Sequence, residues 1–359
     1  MESCLKLLAR AAIALSLFIN SIPAAIASDA TAGKHFIYPH PLQQSDGKWG
    51  FVNSNNCWVI SPKFDYASPF EEGLAGVWDD ATHQTGYVDI HGRLLFYVPF
   101  WPNRFREGLA ETVGDWQSGL TKKSGFIDKT GRIVIKPQFD AVSNFSEGLA
   151  AVGIGSEYQT RKWGFINRSS KFVINPQFDE VGDFSEGLAS VEIQKRYGFI
   201  NQAGNLVIGT KFDRAGPFSG GLANVYVGGK WGYINKVGDF VINPQFNLGY
   251  RFTEGFAAVR IADKWGFIDK TGKVVINPQF DEVTEFAEGL AAVNINGKWG
   301  YIDPTGQILI KPQFSSASYF KDGLATVTIG GGPYGANGGK THLINRSGTV
   351  LLEPTCSAP

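Results

Sequence analysis

Cysteine and methionine are nearly missing from this chain, with three of the first and one of the second. Cys4 lies in the N-terminal leader, which leaves Cys57 and Cys356 near opposite ends. Two cysteines are no disulfide framework of the kind that holds small secreted domains together, so the fold must rest on an apolar core. An oxidising compartment would permit a Cys57–Cys356 bond if the two ends come within disulfide reach. Such a bond would favour a closed ring over an open coil. An excess of one charge is also lacking, since 33 Lys+Arg face 33 Asp+Glu. This removes the electrostatic footprint expected of a protein that binds nucleic acid or an anionic membrane. The histidines His35, His40, His83, His91 and His342 are scattered without metal-ligand spacing. Neither a metal nor a cofactor is expected. No segment beyond the leader carries the roughly 20 apolar residues of a membrane helix, and none shows a helical period of 3.6.

The leader has its own logic. Lys6 and Arg10 precede an apolar run from Ala11 to Phe18, Pro23 follows, and Ala25-Ile26-Ala27 stands before Ser28. A charged start, a short apolar stretch and small residues at the end describe a secretory signal peptide. Cleavage is expected after Ala27, with the mature chain secreted or periplasmic. The expected organisation is a signal peptide over 1–27, a lead-in over 28–47, a repeat domain over 48–352 and a tail over 353–359.

Glycine, phenylalanine and tryptophan are abundant, at 44, 27 and 9 residues, and they recur in order. Trp-Gly stands at Trp49, Trp163, Trp231, Trp265 and Trp299, with Tyr197-Gly198 in the same slot. Gly198, Gly232, Gly266 and Gly300 are spaced by 34 residues. A second glycine marker recurs at Gly73, Gly108, Gly148, Gly187, Gly221, Gly255, Gly289 and Gly323, and Pro-Gln-Phe begins at Pro137, Pro176, Pro244, Pro278 and Pro312. Internal repetition at such a period signals a solenoid, a propeller or an array.

The unit from Trp265 to Lys298 reads as a β-meander. Trp265–Ile268 is aromatic and β-branched, which favours strand. Asp269-Lys270-Thr271-Gly272 is a turn, and Lys273–Ile276 is a second strand. Pro278 has no N–H for a ladder and ends that strand or confines it to an edge. Leu290–Ile295 is a third strand, and Asn296-Gly297 suits a two-residue hairpin turn. Phe267-Ile268 and Val274-Val275-Ile276 are apolar on both faces of a strand, which predicts units sandwiched between neighbours. The unit is shorter than the roughly 40–45 residues of a propeller blade. The expectation is therefore an all-β solenoid of about eight stacked hairpin repeats, open or curved into a toroid, with a β-propeller as the alternative.

Residues that recur in every unit are expected to be structural. Trp265 and its equivalents should bury large area with the indole N–H bonded to a carbonyl. Glu72, Glu107, Glu147, Glu186, Glu254 and Glu288 precede the marker glycine. They should form ion-pair or backbone hydrogen-bond ladders, interleaved with Lys48, Lys162, Lys230, Lys264 and Lys298. The Asp or Asn closing each first strand suits a turn better than a calcium ladder. The glycine-rich Tyr334–Thr341 is only a near match to a phosphate loop, because a strand and not a helix should come after it. Nothing singles out two acids as a catalytic pair, so no enzymatic activity is expected.

Function must then sit where the pattern breaks. The connection into the Trp-Gly slot is lengthened at 78–85, 114–124, 153–161 and 330–340. Trp58, Trp78, Trp101 and Trp116 are not required by the repeat. Exposed, they would anchor a protein partner or stack on sugar rings.

The string KWGFIDKTGKVVINPQFDEVTEFAEGLAAV resembles the bacterial WG-repeat family, from about Lys48 to Leu352. The resemblance implies a tandem β-repeat, frequently exported or surface-associated, that mediates interactions. It supplies no catalytic or binding residues. The expected function is an exported, non-enzymatic scaffold for a protein partner, with binding of an envelope polysaccharide as the alternative.

Overall fold

The hairpins form where the alternation places them, as in the strands Lys264–Asp269 and Val274–Phe280 joined through Asp269-Lys270-Thr271-Gly272. Asp269 Oδ1 accepts the amides of Thr271 and Lys273, so the carboxylate closes the turn. Asn167, Asn201, Asn235 and Asn345 do the same work in their own hairpins. The computed structural model describes residues 38–113, 123–156, 159–332, 338–351, 354 and 356. The leader and its expected cleavage site lie outside the described residues.

The segment between the hairpins holds a strand that no alternation announces. Glu282–Val283 is only two residues long, yet it pairs with Asn294 and Val293. Each full sheet is therefore four-stranded, in sequential antiparallel order. One such sheet runs Glu282–Val283, Ala291–Ile295, Lys298–Ile302, Ile308–Phe314. Among the described residues there are nine sheets, here called blades 1 (40–64), 2 (66–98), 3 (109–139), 4 (141–178), 5 (180–212), 6 (214–246), 7 (248–280), 8 (282–314) and 9 (316–351).

The architecture is a nine-bladed β-propeller, which corrects the expected solenoid. A blade fits into 34 residues because its first strand needs only two and its turns are tight. The sequence unit also straddles two blades. Trp265–Phe280 completes blade 7, and the rest of the unit opens blade 8. Eight units plus a last hairpin thus make nine blades, and the lead-in supplies His40–Gln43, which takes the second-strand place in blade 1.

The core lies between blades. Trp265, Phe267, Ile276 and Phe280 of blade 7 pack against Val283, Phe286, Ala291, Val293 and Ile302 of blade 8. Equivalent clusters fill every junction, including the one between blades 9 and 1, where Leu324 and Leu343 meet Leu42, Val52 and Trp58. No blade buries its apolar face alone. The outer strands are different: Val274 and Val275 are both exposed while Ile276 is buried. Coverage on both faces, expected from the sequence, stops short of the rim.

Gly266 explains how a proline enters that rim strand. A Cβ at Gly266 would lie 2.5 Å from the Ile276 carbonyl oxygen and 2.7 Å from Pro278 N. The fourth strand bulges inward over the glycine, between Trp265↔Phe280 and Phe267↔Ile276. Proline is tolerated in an edge strand and at a bulge, so the strand continues to Phe280 instead of ending at Pro278.

Two polar systems tie neighbouring blades. Glu72, Glu107, Glu147, Glu186, Glu254 and Glu288 sit at φ between 50° and 54°, a left-handed conformation costing a non-glycine residue about 1–2 kcal/mol. Each carboxylate accepts the N–H of the next blade's marker glycine, as in Gly289 N to Glu254 at 2.9 Å and Gly108 N to Glu72 at 2.8 Å. Lys129, Arg168, Lys236 and Arg346 of the next blade clamp the carboxylates of Glu72, Glu107, Glu186 and Glu288. The lysines before Trp-Gly do not interleave with these acids. Lys48, Lys162 and Lys264 instead bind Asp65, Asp179 and Asp281, which stand seventeen residues on. Those aspartates also accept the turn amides of Asp80, Gln194 and Asn296 in the following blade. The lysine is therefore a neighbour of the turn between the second and third strands of the following blade and lies at the opposite end of the blade from the glutamate.

Candidate functional site

In blades 4, 5 and 8 the aromatic of the Trp-Gly slot faces a polar or small residue across the ladder: Trp299 faces Asn294, Tyr197 faces Glu192 and Trp163 faces Gly153, whereas in blade 6 Trp231 faces Tyr226. Blade 2 inverts this order. Trp78 faces Thr85 on one side and Tyr66 on the other, so the large ring has moved one strand toward the axis. Trp101 then packs over the displaced pair, its centroid 4.8 Å from Tyr66 and 6.3 Å from Trp78. His83 adds a ring 6.1 Å from Trp78.

Trp101 is held from below. Phe100 is buried, and Pro102 packs against Gly76, where a Cβ would lie 2.5 Å from the proline Cβ. With both chain neighbours fixed, Trp101 is left 49% exposed. A tryptophan half in water on a rigid base is the composition of an interaction anchor.

The other candidates fall elsewhere. Trp58 is buried in the blade 9–1 core and donates its backbone N–H to the Cys356 carbonyl at 2.9 Å. It is a packing residue in this structure and not a surface contact. Trp116 lies outside the described residues. Cys57 and Cys356 form a disulfide with Cα atoms 4.9 Å apart, which fastens the two chain ends. The recurring tryptophans are mostly packed as expected, but Trp299 Nε1 is buried without an acceptor. The expected indole hydrogen bond is not made there. Buried third-strand tyrosines make the interblade bonds instead: Tyr87, Tyr233 and Tyr301 donate to the carbonyls of Asn103, Tyr250 and Ser318. Burial drives these phenols far above their ordinary titration range.

A second feature was not visible in the sequence. A cavity of 1110 Å³ runs along the first strands of blades 5 and 6, lined by Glu180, Asp183, Glu192, Lys195, Tyr197 and Arg214 among others. These strands lie nearest the axis, since Lys321 of blade 9 reaches Glu71 of blade 2 at 3.1 Å across blade 1, where the described residues hold no such strand. Glu180 and Glu192 stand directly opposite each other, an arrangement of like charges that is unfavourable. Tyr197 donates its hydroxyl to Glu180. Burial, and then the charges of Glu180 and Asp179, raise the Glu192 carboxyl above its ordinary value. The sequence signal was two glutamates twelve residues apart, meaningless until the register was known. Among the described residues no cluster of His, Cys, Asp and Glu is arranged to hold a metal, and no helix is long and apolar enough to cross a membrane.

Fold and site together define a ring of tandem β-repeats closed by a disulfide. The pattern of the WG containing repeat matches residues 49–77, 125–158, 163–196, 197–231, 231–265, 265–299 and 299–332. The chain belongs to the WG-repeat family. Similar solved structures include PorZ, described as an essential bacterial surface component of the type-IX secretion system of Porphyromonas gingivalis. PorZ is 11% identical, with 86% of this chain and 43% of that chain covered and a TM-score of 0.34. Kluyveromyces lactis Hsv2 is 8% identical, with 71% and 86% covered and a TM-score of 0.38. This chain therefore spans less than half the length of PorZ. No match among curated proteins was found.

Proposed function

We propose that this protein is an exported, non-enzymatic ring scaffold that docks a protein partner through Tyr66, Trp78 and Trp101. The observation that carries this reading is the half-exposed Trp101, stacked on two aromatic residues that the repeat does not require. Rigid, clustered tryptophan and tyrosine are the residues that dominate protein–protein binding energy. The Trp101 ring is tilted by 47° to Tyr66 and by 37° to Trp78, which makes a knob and not the flat platform on which a sugar chain stacks. Docking of a polysaccharide is the weaker reading for that reason. Export is supported by the leader and by the Cys57–Cys356 bond, since such bonds persist in oxidising compartments.

The test compares the wild-type chain with Trp101→Ala as bait in an envelope fraction. A partner held by the wild type should be lost by the variant, with affinity falling at least about 30-fold, as for an interface anchor worth roughly 2 kcal/mol. Melting temperature should change little. Equal capture by both baits, or quenching of tryptophan fluorescence by sugars that Trp101→Ala abolishes, would reject protein docking at this cluster.

A further inference from the structure

Among the described residues, the belt of acids formed by the six glutamates and by Asp322 in blade 9 lacks a carboxylate at one position, and that gap is shaped like a binding site. At the junction of blades 6 and 7 the glutamate position is Gly220, at φ +64°. The groups that receive the carboxylate elsewhere are still present. Gly255 is the marker glycine of blade 7, as Gly289 is of blade 8, and Lys270 stands where Lys129, Arg168, Lys236 and Arg346 stand in their own blades. A Cβ built on Gly220 would lie 3.1 Å from Lys270 Cε and Nζ, so the amine rests over the vacated side-chain path. Among the described residues no carboxylate pairs with Lys270 and no side chain accepts the Gly255 N–H. Gly220, Gly255 and Lys270 are all exposed.

We propose that Gly255 N–H and Lys270 Nζ form a seat for a carboxylate brought by a ligand. The chemistry is read from the protein itself, because sister junctions show what this donor pair binds. At blades 2–3, Glu72 Oε2 takes the Gly108 N–H at 2.8 Å and Lys129 Nζ at 3.1 Å. At blades 5–6, Glu186 takes the Gly221 N–H at 3.1 Å, with Lys236 Nζ at 3.3 Å. A cation and an amide converging on one carboxylate make charge-assisted hydrogen bonds, stronger than neutral ones. The strained backbone of the glutamate is a reason for its replacement by glycine, which adopts positive φ freely. What the replacement removes is the internal anion, and not its donors. This seat belongs to the glutamate-turn end of the ring, distinct from the aromatic cluster of blade 2.

The probe is propionate, which is the glutamate side chain without its backbone. The full mature chain, labelled with 15N-glycine, is titrated with sodium propionate against sodium chloride at constant ionic strength. The Gly255 amide should shift saturably, while the amides of Gly221 and Gly289, already held by Glu186 and Glu254, stay in place. Gly220→Glu should supply the carboxylate internally and abolish the response. Lys270→Gln should weaken it at least about threefold through loss of the charged donor. Titrating N-acetylglutamate amide and galacturonate in parallel distinguishes a protein side chain from an acidic polysaccharide as the source, by which of them binds more tightly. A Gly255 amide that does not move with any of the three, or that moves equally in Gly220→Glu, overturns the proposal.

Discussion

The junction between blades 7 and 8 and the seam between blades 9 and 1 are built to the same plan with different resources. The first buries ten apolar residues, among them Trp265, Phe267, Phe280 and Phe286. Among the described residues the seam buries five, and only Trp58 is aromatic. The seam carries the covalent bond instead, together with the Trp58–Cys356 backbone hydrogen bond and the Lys321–Glu71 pair. A repeat array closed into a ring must join its two atypical ends, and here covalent chemistry replaces hydrophobic burial where burial is smallest. The same arc of the ring holds the four lengthened connections. Blades 2, 3, 4 and 9 are separated in sequence, but closure places blade 9 beside blade 1 and so next to blades 2–4. Blades 5–8 have tight turns such as Asn296-Gly297.

The largest effect expected is at the well-packed junction. Phe267 is completely buried, and Phe267→Ala should cost about 3–5 kcal/mol, read as a lowered denaturant midpoint. At the seam, Leu324→Ala should cost about 2 kcal/mol, the lower end for buried leucine, because fewer neighbours constrain relaxation. Equal losses at the two sites would break the contrast between a full core and a thin one.

Next in size is the bond itself. Cys57→Ser with Cys356→Ser removes a crosslink spanning 299 residues. The loss should be about 2–4 kcal/mol, as is typical of a native disulfide, and a reducing agent should lower the wild-type midpoint equally. The loss should be localised: amide exchange should quicken in His40–Gln43 and near Leu343 before it changes at Phe267. Uniform quickening around the ring would mean that the seam is no weaker than other junctions.

This contrast also separates what is legible in the sequence from what is not. The repeat, its three markers, the hairpins and the Asn-Gly turn arise from local chemistry that each residue carries with it. Glu282–Val283 stays hidden because two residues show no alternation, and that strand completes the four strands of a full blade. Lys264 looks like a partner of the wrong acid because its distance to Glu288 depends on which end of a blade each occupies. Blade 2 is half legible. Trp78 and Trp101 stand out as unneeded by the repeat, but their contact with Tyr66 depends on Trp78 facing it across a ladder. Trp58 looks identical by the same criterion and is buried, because only ring closure brings Leu324 and Leu343 against it.

The smallest effect concerns the aspartates shared by both arcs. Lys123 beside Asp140, Lys162 beside Asp179 and Lys264 beside Asp281 hold these carboxyls below their ordinary value of 3.8, and the amides of Gly155, Gln194 and Asn296 add to it. A carboxyl lowered on folding stabilises the native state above its unfolded value, and that stability disappears as pH falls through the folded value. The ring should therefore lose stability from about pH 4 downward through these groups, with little contribution to any change between pH 5 and 8. The pairs are partly exposed and screened, so each is worth about 0.5 kcal/mol or less. The junction of blades 6 and 7 already carries the neutral version, with Lys230 bonded to Asn247. Asp179→Asn with Asp281→Asn extends that arrangement to two further junctions. The double variant should melt slightly lower than wild type at pH 7 and converge with it as pH falls below the folded-state values of these carboxyls. An acid limb of unchanged steepness would show that these aspartates do not govern the acid lability of the ring.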